Sequence, residues 1–336
     1  MTSPSFGFSV PQAAAFHDGE LAIDDLVAFV QHGESLGFRD VVVADHILVP
    51  PNWARVIGDV FVDAFTLLAY LAAETERLQL VLGCVVVPYR QPISVAKAMA
   101  TLDQLSRGRA ALGVVPGYLR AEFDALGIPF AERLAMTDEF IEIMRTVWTD
   151  EQASFAGRYH SFTNWNLKPK CIQQPHVPIW VGGASKGALE RAIAIGDVWH
   201  PLGFVVISDE FMAAHEADFA GETMQTDGLT PERLRAALEA ARPFADECGR
   251  DLSTLEVVVM PGPPPASLEG VHSAIHTGSR ASKGGQEIVD WFGEYVEAGT
   301  TGFVLGLAGR TLDACRESLE HVAAEVMPAF TATAGA

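Results

Sequence analysis

The sequence predicts an α/β chain folded as one (β/α)8 TIM barrel, and three observations carry that reading. Short β-branched runs alternate with longer segments of helical period along the whole 336-residue chain, the signature of parallel strands joined by crossover helices. Eight such pairs occur, the number that closes a barrel. The turn after the first run reads Pro11-Gln-Ala-Ala-Ala15, without the glycines with which an open doubly wound sheet cradles a phosphate.

The strands are expected at Phe6–Val10, Asp40–Ala44, Leu78–Val87, Arg109–Val115, Pro178–Val181, Asp197–His200, Leu255–Met260 and Gly302–Leu305. Several are almost uninterrupted apolar runs, as strands covered on both faces should be. Helices are expected at Leu21–Leu36, Ala64–Glu74, Ser94–Leu105, Ala131–Trp148, Gly187–Ile195, Pro231–Cys248, Gln286–Ala298 and Thr311–Val326, each with apolar residues three and four apart. Gly37 and Gly108 follow helix ends, where a left-handed residue costs least, and Pro231 opens a helix after Thr230. Two connections are long. Residues 151–177 contain Phe155-Ala-Gly-Arg-Tyr-His-Ser-Phe-Thr163, read as an inserted hairpin. Residues 261–284 begin Pro261-Gly-Pro-Pro-Pro265 and are read as a long loop above the seventh strand, where barrel enzymes place substrate lids. Barrels of this size form one unit, so a single domain over residues 1–336 is expected.

Composition narrows the function. The formal net charge is −20, from 23 Lys plus Arg against 43 Asp plus Glu, which repels nucleic acid and anionic membranes and suits a small-molecule substrate. Of five lysines, Lys168, Lys170 and Lys186 fall in one stretch, a candidate local anion site. Cys84, Cys171, Cys248 and Cys315 are far apart and form no CxxC pair, so neither a metal site nor a disulfide framework is expected. The N-terminal Met1-Thr-Ser-Pro-Ser-Phe-Gly-Phe-Ser-Val10 has no basic-then-apolar signal pattern, and no apolar run reaches membrane length. A soluble cytoplasmic protein is the expectation.

The second strand ends Val41-Val-Val-Ala-Asp45-His46, bringing an acid and an imidazole to the C-terminal edge where barrels keep their chemistry. Alone, the pair reads equally as a capping carboxylate and a surface histidine; its position favours catalysis. Gly182-Gly183 closes a strand directly before a helix, so amides of Gly183, Ala184 and Ser185 can converge on a phosphate, with Lys186 adding charge. The plainer alternative is an ordinary strand–helix turn. Trp53, Phe61, Tyr89 and Tyr118 are candidates for an apolar substrate pocket, with Trp199 on the cofactor side. His272 and His276 lack the glutamate of a zinc-binding HExxH helix, and Ser185 lacks the GxSxG context of a hydrolase nucleophile.

The segment Arg77-Leu-Gln-Leu-Val-Leu-Gly-Cys-Val-Val-Val-Pro-Tyr-Arg90, followed by Gln-Pro-Ile-Ser-Val-Ala-Lys97, resembles the third strand and helix of luciferase-like proteins. Thr101-Leu-Asp-Gln-Leu-Ser-Arg-Gly-Arg109, Ala-Leu-Gly-Val-Val-Pro-Gly117, Pro178-Ile-Trp-Val-Gly-Gly-Ala-Ser185 and Ile195-Gly-Asp-Val-Trp-His-Pro201 are similar to later segments of that family, in order. The resemblance spans residues 6–330 and looks most like the deazaflavin branch. It implies hydride transfer between coenzyme F420 and a small organic substrate. It also implies a cis peptide at Gly83-Cys84, next to Leu82, behind the cofactor ring, and a family acid at Glu122. His46 would then donate to the reduced ring or exchange a proton with substrate, with Asp45 orienting it or tuning its charge. Tyr118 stands where sugar-phosphate dehydrogenases of the family carry a glutamate, so glucose 6-phosphate is a poor candidate. The alternatives are an FMN-dependent monooxygenase served by a flavin reductase, and a barrel that binds flavin or deazaflavin without turnover. The resemblance further implies a homodimer.

Overall fold

A computed structural model describes residues 3–17, 19–201, 229–261, 285–307 and 311–331. In chain order the strands are β1 (Ser5–Ser9), β2 (Phe16–His17), β3 (Glu20–Leu21), β4 (Asp40–Val43), β5 (Gln79–Val86), β6 (Ala110–Val115), β7 (Ala153–Ala156), β8 (Ser161–Trp165), β9 (Ile179–Gly182), β10 (Val198–His200), β11 (Glu256–Val259) and β12 (Gly302–Leu305). The helices are α1 (Ile23–Ser35), α2 (Pro51–Ile57), α3 (Ala64–Glu74), α4 (Pro92–Leu105), α5 (Arg120–Ala125), α6 (Arg133–Thr149), α7 (Lys186–Ile195), α8 (Pro231–Cys248), α9 (Gly285–Glu297), α10 (Leu312–His321) and α11 (Met327–Thr331). The strands close in the order β1-β12-β11-β10-β9-β6-β5-β4. β1 pairs in parallel with both β12 and β4, which completes the circle.

Every barrel strand lies within one residue of its sequence-predicted limits, because fully buried runs such as Val41-Val42-Val43 have no other stable environment. The hairpin expected within 151–177 forms as antiparallel β7 and β8. Its turn is held by the Glu139 carboxylate, which accepts from the amides of Arg158, Tyr159 and His160. Three short helices escape the sequence reading, among them the five-residue α11. α2 is seven residues and α5 six, too short to display an amphipathic period. The last expected helix ends its α-helical part at His321 and continues as a π turn over Val322–Val326. The long loop expected over 261–284, with His272 and His276, lies outside the described residues apart from Pro261.

Residue contacts group the chain into two units, one of residues 1–42, 181–212 and 225–336, the other of residues 43–180 and 213–224. In the first, Phe6 packs against Phe292 and Phe303, and Phe8 meets Phe29 and Phe38 edge-on. His200 is buried there, with Nδ1 2.6 Å from the Val258 carbonyl, and burial pushes its pKa down to about 4, so it stays neutral. In the second, the Arg109 guanidinium donates to the carbonyls of Ala72, Thr75 and Leu78, stapling the end of α3 to the start of β5. Buried Asp103 on α4 accepts from the amides of Ile172 and Gln173. Among the described residues, no helix is long and apolar enough to cross a membrane.

β5 and β6 carry the one irregularity that shapes the site. Their register shifts between Leu82 and Val85, and the Gly83-Cys84 peptide inside that shift is cis, as the family resemblance implies. β6 accommodates it with Gly113, where an added Cβ would lie 2.7 Å from the Leu82 carbonyl oxygen and 3.0 Å from Cys84 Sγ. A backbone oxygen cannot swing aside as a side chain can. Gly113→Ala is therefore expected to destabilise the protein by about 1–3 kcal/mol, read as a lowered midpoint in urea, whereas Ala111→Gly in the same strand leaves the bulge in place.

Candidate active site

The site in the second unit begins where β4 ends. Asp45 is 4% exposed, and Arg90, which follows β5, grips it from two sides, with Nη1 2.5 Å from Oδ2 and Nη2 2.8 Å from Oδ1. Burial pushes the Asp45 carboxyl up, and Arg90 opposes that shift. This bidentate geometry commits both oxygens of Asp45. Of the two roles expected for Asp45, orienting His46 or tuning it by charge, the geometry agrees with the second: its oxygens are bonded to Arg90, and it interacts with the imidazole through charge.

The orienting group is Glu122. Its carboxylate, 1% exposed, accepts from the amides of Ile47 at 2.8 Å and Leu48 at 3.0 Å through one oxygen. Through the other it meets the Tyr89 hydroxyl and His46 Nδ1, each at 3.1 Å. Burial, the largest influence, raises this carboxyl, but the hydrogen bonds from His46, Leu48 and Ile47 together outweigh it and hold the group below its ordinary value. An ionised carboxylate only accepts, so Nδ1 carries the proton and Nε2 is left for chemistry. Local sequence explains the placement. Gly117 turns the chain sharply after β6 at φ +82°, where a Cβ would strike Val86 and Phe123. α5 then starts with Glu122 in its first turn.

Aromatic rings surround the imidazole. Phe61 lies 4.8 Å and Tyr118 6.2 Å from the His46 ring, centroid to centroid, and Trp53 lies 5.2 Å from Tyr118. Phe61, Trp53 and Tyr118 thus gather around His46 as expected of a pocket lining. Tyr89 does something different. Its ring packs 4.7 Å from Phe123 and its hydroxyl is spent on Glu122, while burial and then the Glu122 charge push its ionisation well above the ordinary tyrosine range. Leu82 is fully buried in β5, immediately before the bulge. Burial, then the charge of Asp45, pushes the Cys84 thiol up to about 12, which keeps it protonated and unreactive at neutral pH.

The glycine turn belongs to the first unit. The amide of Gly183 is committed to the His200 carbonyl at 3.1 Å, so it cannot join a phosphate cradle. Trp199, fully buried, donates from Nε1 to the Gly183 carbonyl at 2.9 Å and so anchors the turn. Ser185 caps α7 by accepting from Ala188. Among the described residues, the amides of Ala184, Ser185, Lys186 and Gly187 have no acceptor, which leaves a set of donors displaced one residue from the expected set. Lys186 pairs with Glu190 at 3.4 Å across the surface of α7. Lys168 pairs with Glu151, and Lys170 donates to the carbonyls of Val147 and Asp150. Of the three, Lys170 is held by backbone carbonyls, while Lys168 and Lys186 make exposed surface pairs.

Arg90 and Glu122 are the residues that pattern reasoning from spacing alone missed. A signal for Arg90 exists, since it lies just beyond β5 while its partner acid lies just beyond the neighbouring β4. Glu122 stands out only through family resemblance.

The sequence profile described as luciferase-like monooxygenase matches residues 5–220. The FMNH2-dependent dimethylsulfone monooxygenase of Pseudomonas putida is 36% identical over 141 residues, which are 41% of this chain and 38% of that protein. The match thus spans well under half of that relative's length. Among solved structures, monooxygenase RslO1 from Streptomyces bottropensis aligns with a TM-score of 0.73 and 19% identity over 97% of this chain and 99% of its own. An F420-dependent secondary alcohol dehydrogenase, solved with an F420-acetone adduct, aligns with a TM-score of 0.70 and 18% identity over 96% and 99%. At these identities the two structures share the barrel.

Replacing Glu122 by Gln puts an amide NH2 against groups that all donate, and is expected to cost about 2 kcal/mol of stability. The pH dependence has a definite sign. The folded carboxyl sits below its ordinary 4.5, so its contribution is complete above that value and is lost as pH falls toward the lowered folded value. Thermal melts from neutral pH down to about pH 3 should show a steeper acid decline in the native protein than in Glu122→Gln; parallel declines would contradict the assignment.

Proposed function

Because the chain belongs to the luciferase-like monooxygenase family, we propose that it is an oxidoreductase using coenzyme F420, with hydride transfer to or from a small organic substrate beside His46. The observation that supports this most is the imidazole of fixed tautomer within an aromatic surround. Bound F420 supplies or takes up a hydride at the substrate carbon. His46 handles the matching proton at the substrate oxygen: Nε2 accepts it when an alcohol is oxidised and returns it when a carbonyl is reduced. Glu122 keeps Nδ1 protonated and stabilises the imidazolium formed on the way. The Asp45–Arg90 pair holds the strand end on which His46 is carried.

The fit to a flavin-type ring rests on the bulge at Gly83-Cys84, which Gly113 makes room for, and on a thiol there that stays protonated. Within the first unit, the amides of Ala184, Ser185, Lys186 and Gly187 at the start of α7 have the donor geometry that suits an anion. A second reading is an FMN-dependent monooxygenase, favoured by the 36% identity to the dimethylsulfone enzyme. It requires a separate reductase to supply reduced flavin. Either enzyme is proposed to work as a homodimer in the cytoplasm; a barrel that binds cofactor without turnover is the remaining alternative.

Titration of the purified protein with F420 and with FMN, followed by quenching of each cofactor's fluorescence, separates these readings. Saturable quenching of F420 is expected; saturable FMN binding with no F420 response would reverse the order. In the protein with its preferred cofactor, His46→Ala should lower turnover by about 100-fold or more. Full turnover with unchanged cofactor affinity would remove His46 from the chemistry, and tight binding without reduction by any donor would favour the non-catalytic barrel.

A further inference from the structure

The surroundings of His46 say something about the substrate. Among the described residues, the groups in contact with its ring are Glu122, Phe61 and Tyr118, and none is a cation. The one guanidinium of the site, Arg90, has Nη1 and Nη2 on the two oxygens of Asp45, with Asp63 a further 3.8 Å contact. Both carboxylates of the site, Asp45 and Glu122, are buried. An anionic group brought to Nε2 would thus face the buried Glu122 carboxylate one imidazole ring away, with no unpaired cation on the ring among the described residues.

Apolar surface, by contrast, is abundant in the segments that meet His46: the Phe61 and Tyr118 rings contact the imidazole, and Ile47 and Leu48 follow it in the chain. Ile47 is 41%, Leu48 51% and Tyr118 39% exposed. These three are fixed to the site: the amides of Ile47 and Leu48 are held by the same Glu122 that holds His46, and Tyr118 lies between the His46 and Trp53 rings. Large apolar side chains exposed on the segments that carry a polar group of fixed orientation suit a site that desolvates an apolar ligand and orients it by one hydrogen bond. The net charge of −20 adds a long-range penalty for anions.

We propose that the substrate is an uncharged, predominantly apolar molecule whose single polar group, a carbonyl or hydroxyl oxygen, meets His46 Nε2, with Phe61, Leu48 and Tyr118 selecting its apolar body. Phosphorylated sugars, carboxylates and sulfonates are excluded as a class. This rests on His46 being the reaction centre, as the preceding subsection proposes.

Acetophenone and benzoate are close in size and differ in charge, which makes them a direct probe. Calorimetric titration of the cofactor-free and the cofactor-loaded protein should show acetophenone binding, and benzoate weaker by about tenfold or more. Tyr118→Ala and Leu48→Ser, both at exposed side chains, should each weaken acetophenone several-fold with unchanged far-UV circular dichroism. Benzoate binding as tightly as acetophenone, binding of neither up to about 10 mM, or acetophenone affinity untouched in both variants overturns the proposal. Failure of the cofactor reading shows itself separately: neither F420 nor FMN is quenched, while acetophenone still outcompetes benzoate on the cofactor-free protein. Saturable cofactor binding with no preference between the two probes overturns the substrate class alone.

Discussion

A single buried carboxylate organises the candidate site. Glu122 accepts from two consecutive backbone amides, a phenol and an imidazole, and each of those donors comes from a different stretch of chain from its own. Burying a charge is costly unless its hydrogen-bonding capacity is met, and here the cost is offset only when the segment after β4, the turn after β5 and α5 are all in place. The geometry of His46 is therefore a product of the fold rather than of its immediate neighbours. Removing the charge would free three segments at once.

The two strand ends beside it follow the same logic on a smaller scale. Asp45 and Arg90 form a planar two-pronged pair at the ends of adjacent strands, so neither can move without leaving the other buried and unmatched. Gly113 does the equivalent work sterically, since its missing side chain is what allows β5 to bulge. One electrostatic brace and one steric allowance thus fix the floor against which any ligand would be held.

The barrel was legible in the sequence because strand and helix differ in period, and eight buried runs cannot be hidden by composition. Asp45, His46 and the ring of aromatics were legible from position, as residues just past a strand end or in the loops beyond it. The partners were not. That Asp45 belongs to Arg90 and His46 to Glu122 depends on which side chains meet after 45 and 76 residues of intervening chain, and periodicity carries no information about such pairings. Local chemistry misled at the glycine turn for a similar reason. Gly183 has the amide a phosphate would want, but the neighbouring strand reaches it first through His200. The lysines near it in sequence do not act as one set: Lys170 is bound to the carbonyls at the end of α6, whereas Lys168 and Lys186 pair with acids at the surface.

Cys84 carries one more implication. Sulfur at a reaction centre is ordinarily a liability, because a thiolate reacts with peroxides and electrophiles and ends as a sulfinate or an adduct. Burial and the neighbouring Asp45 hold this thiol in its neutral form up to about pH 12, so its nucleophilic fraction at physiological pH is negligible. The same acid that braces the strand end through Arg90 thereby acts as a chemical guard, keeping a soft, compact side chain in the β5 bulge in its unreactive form.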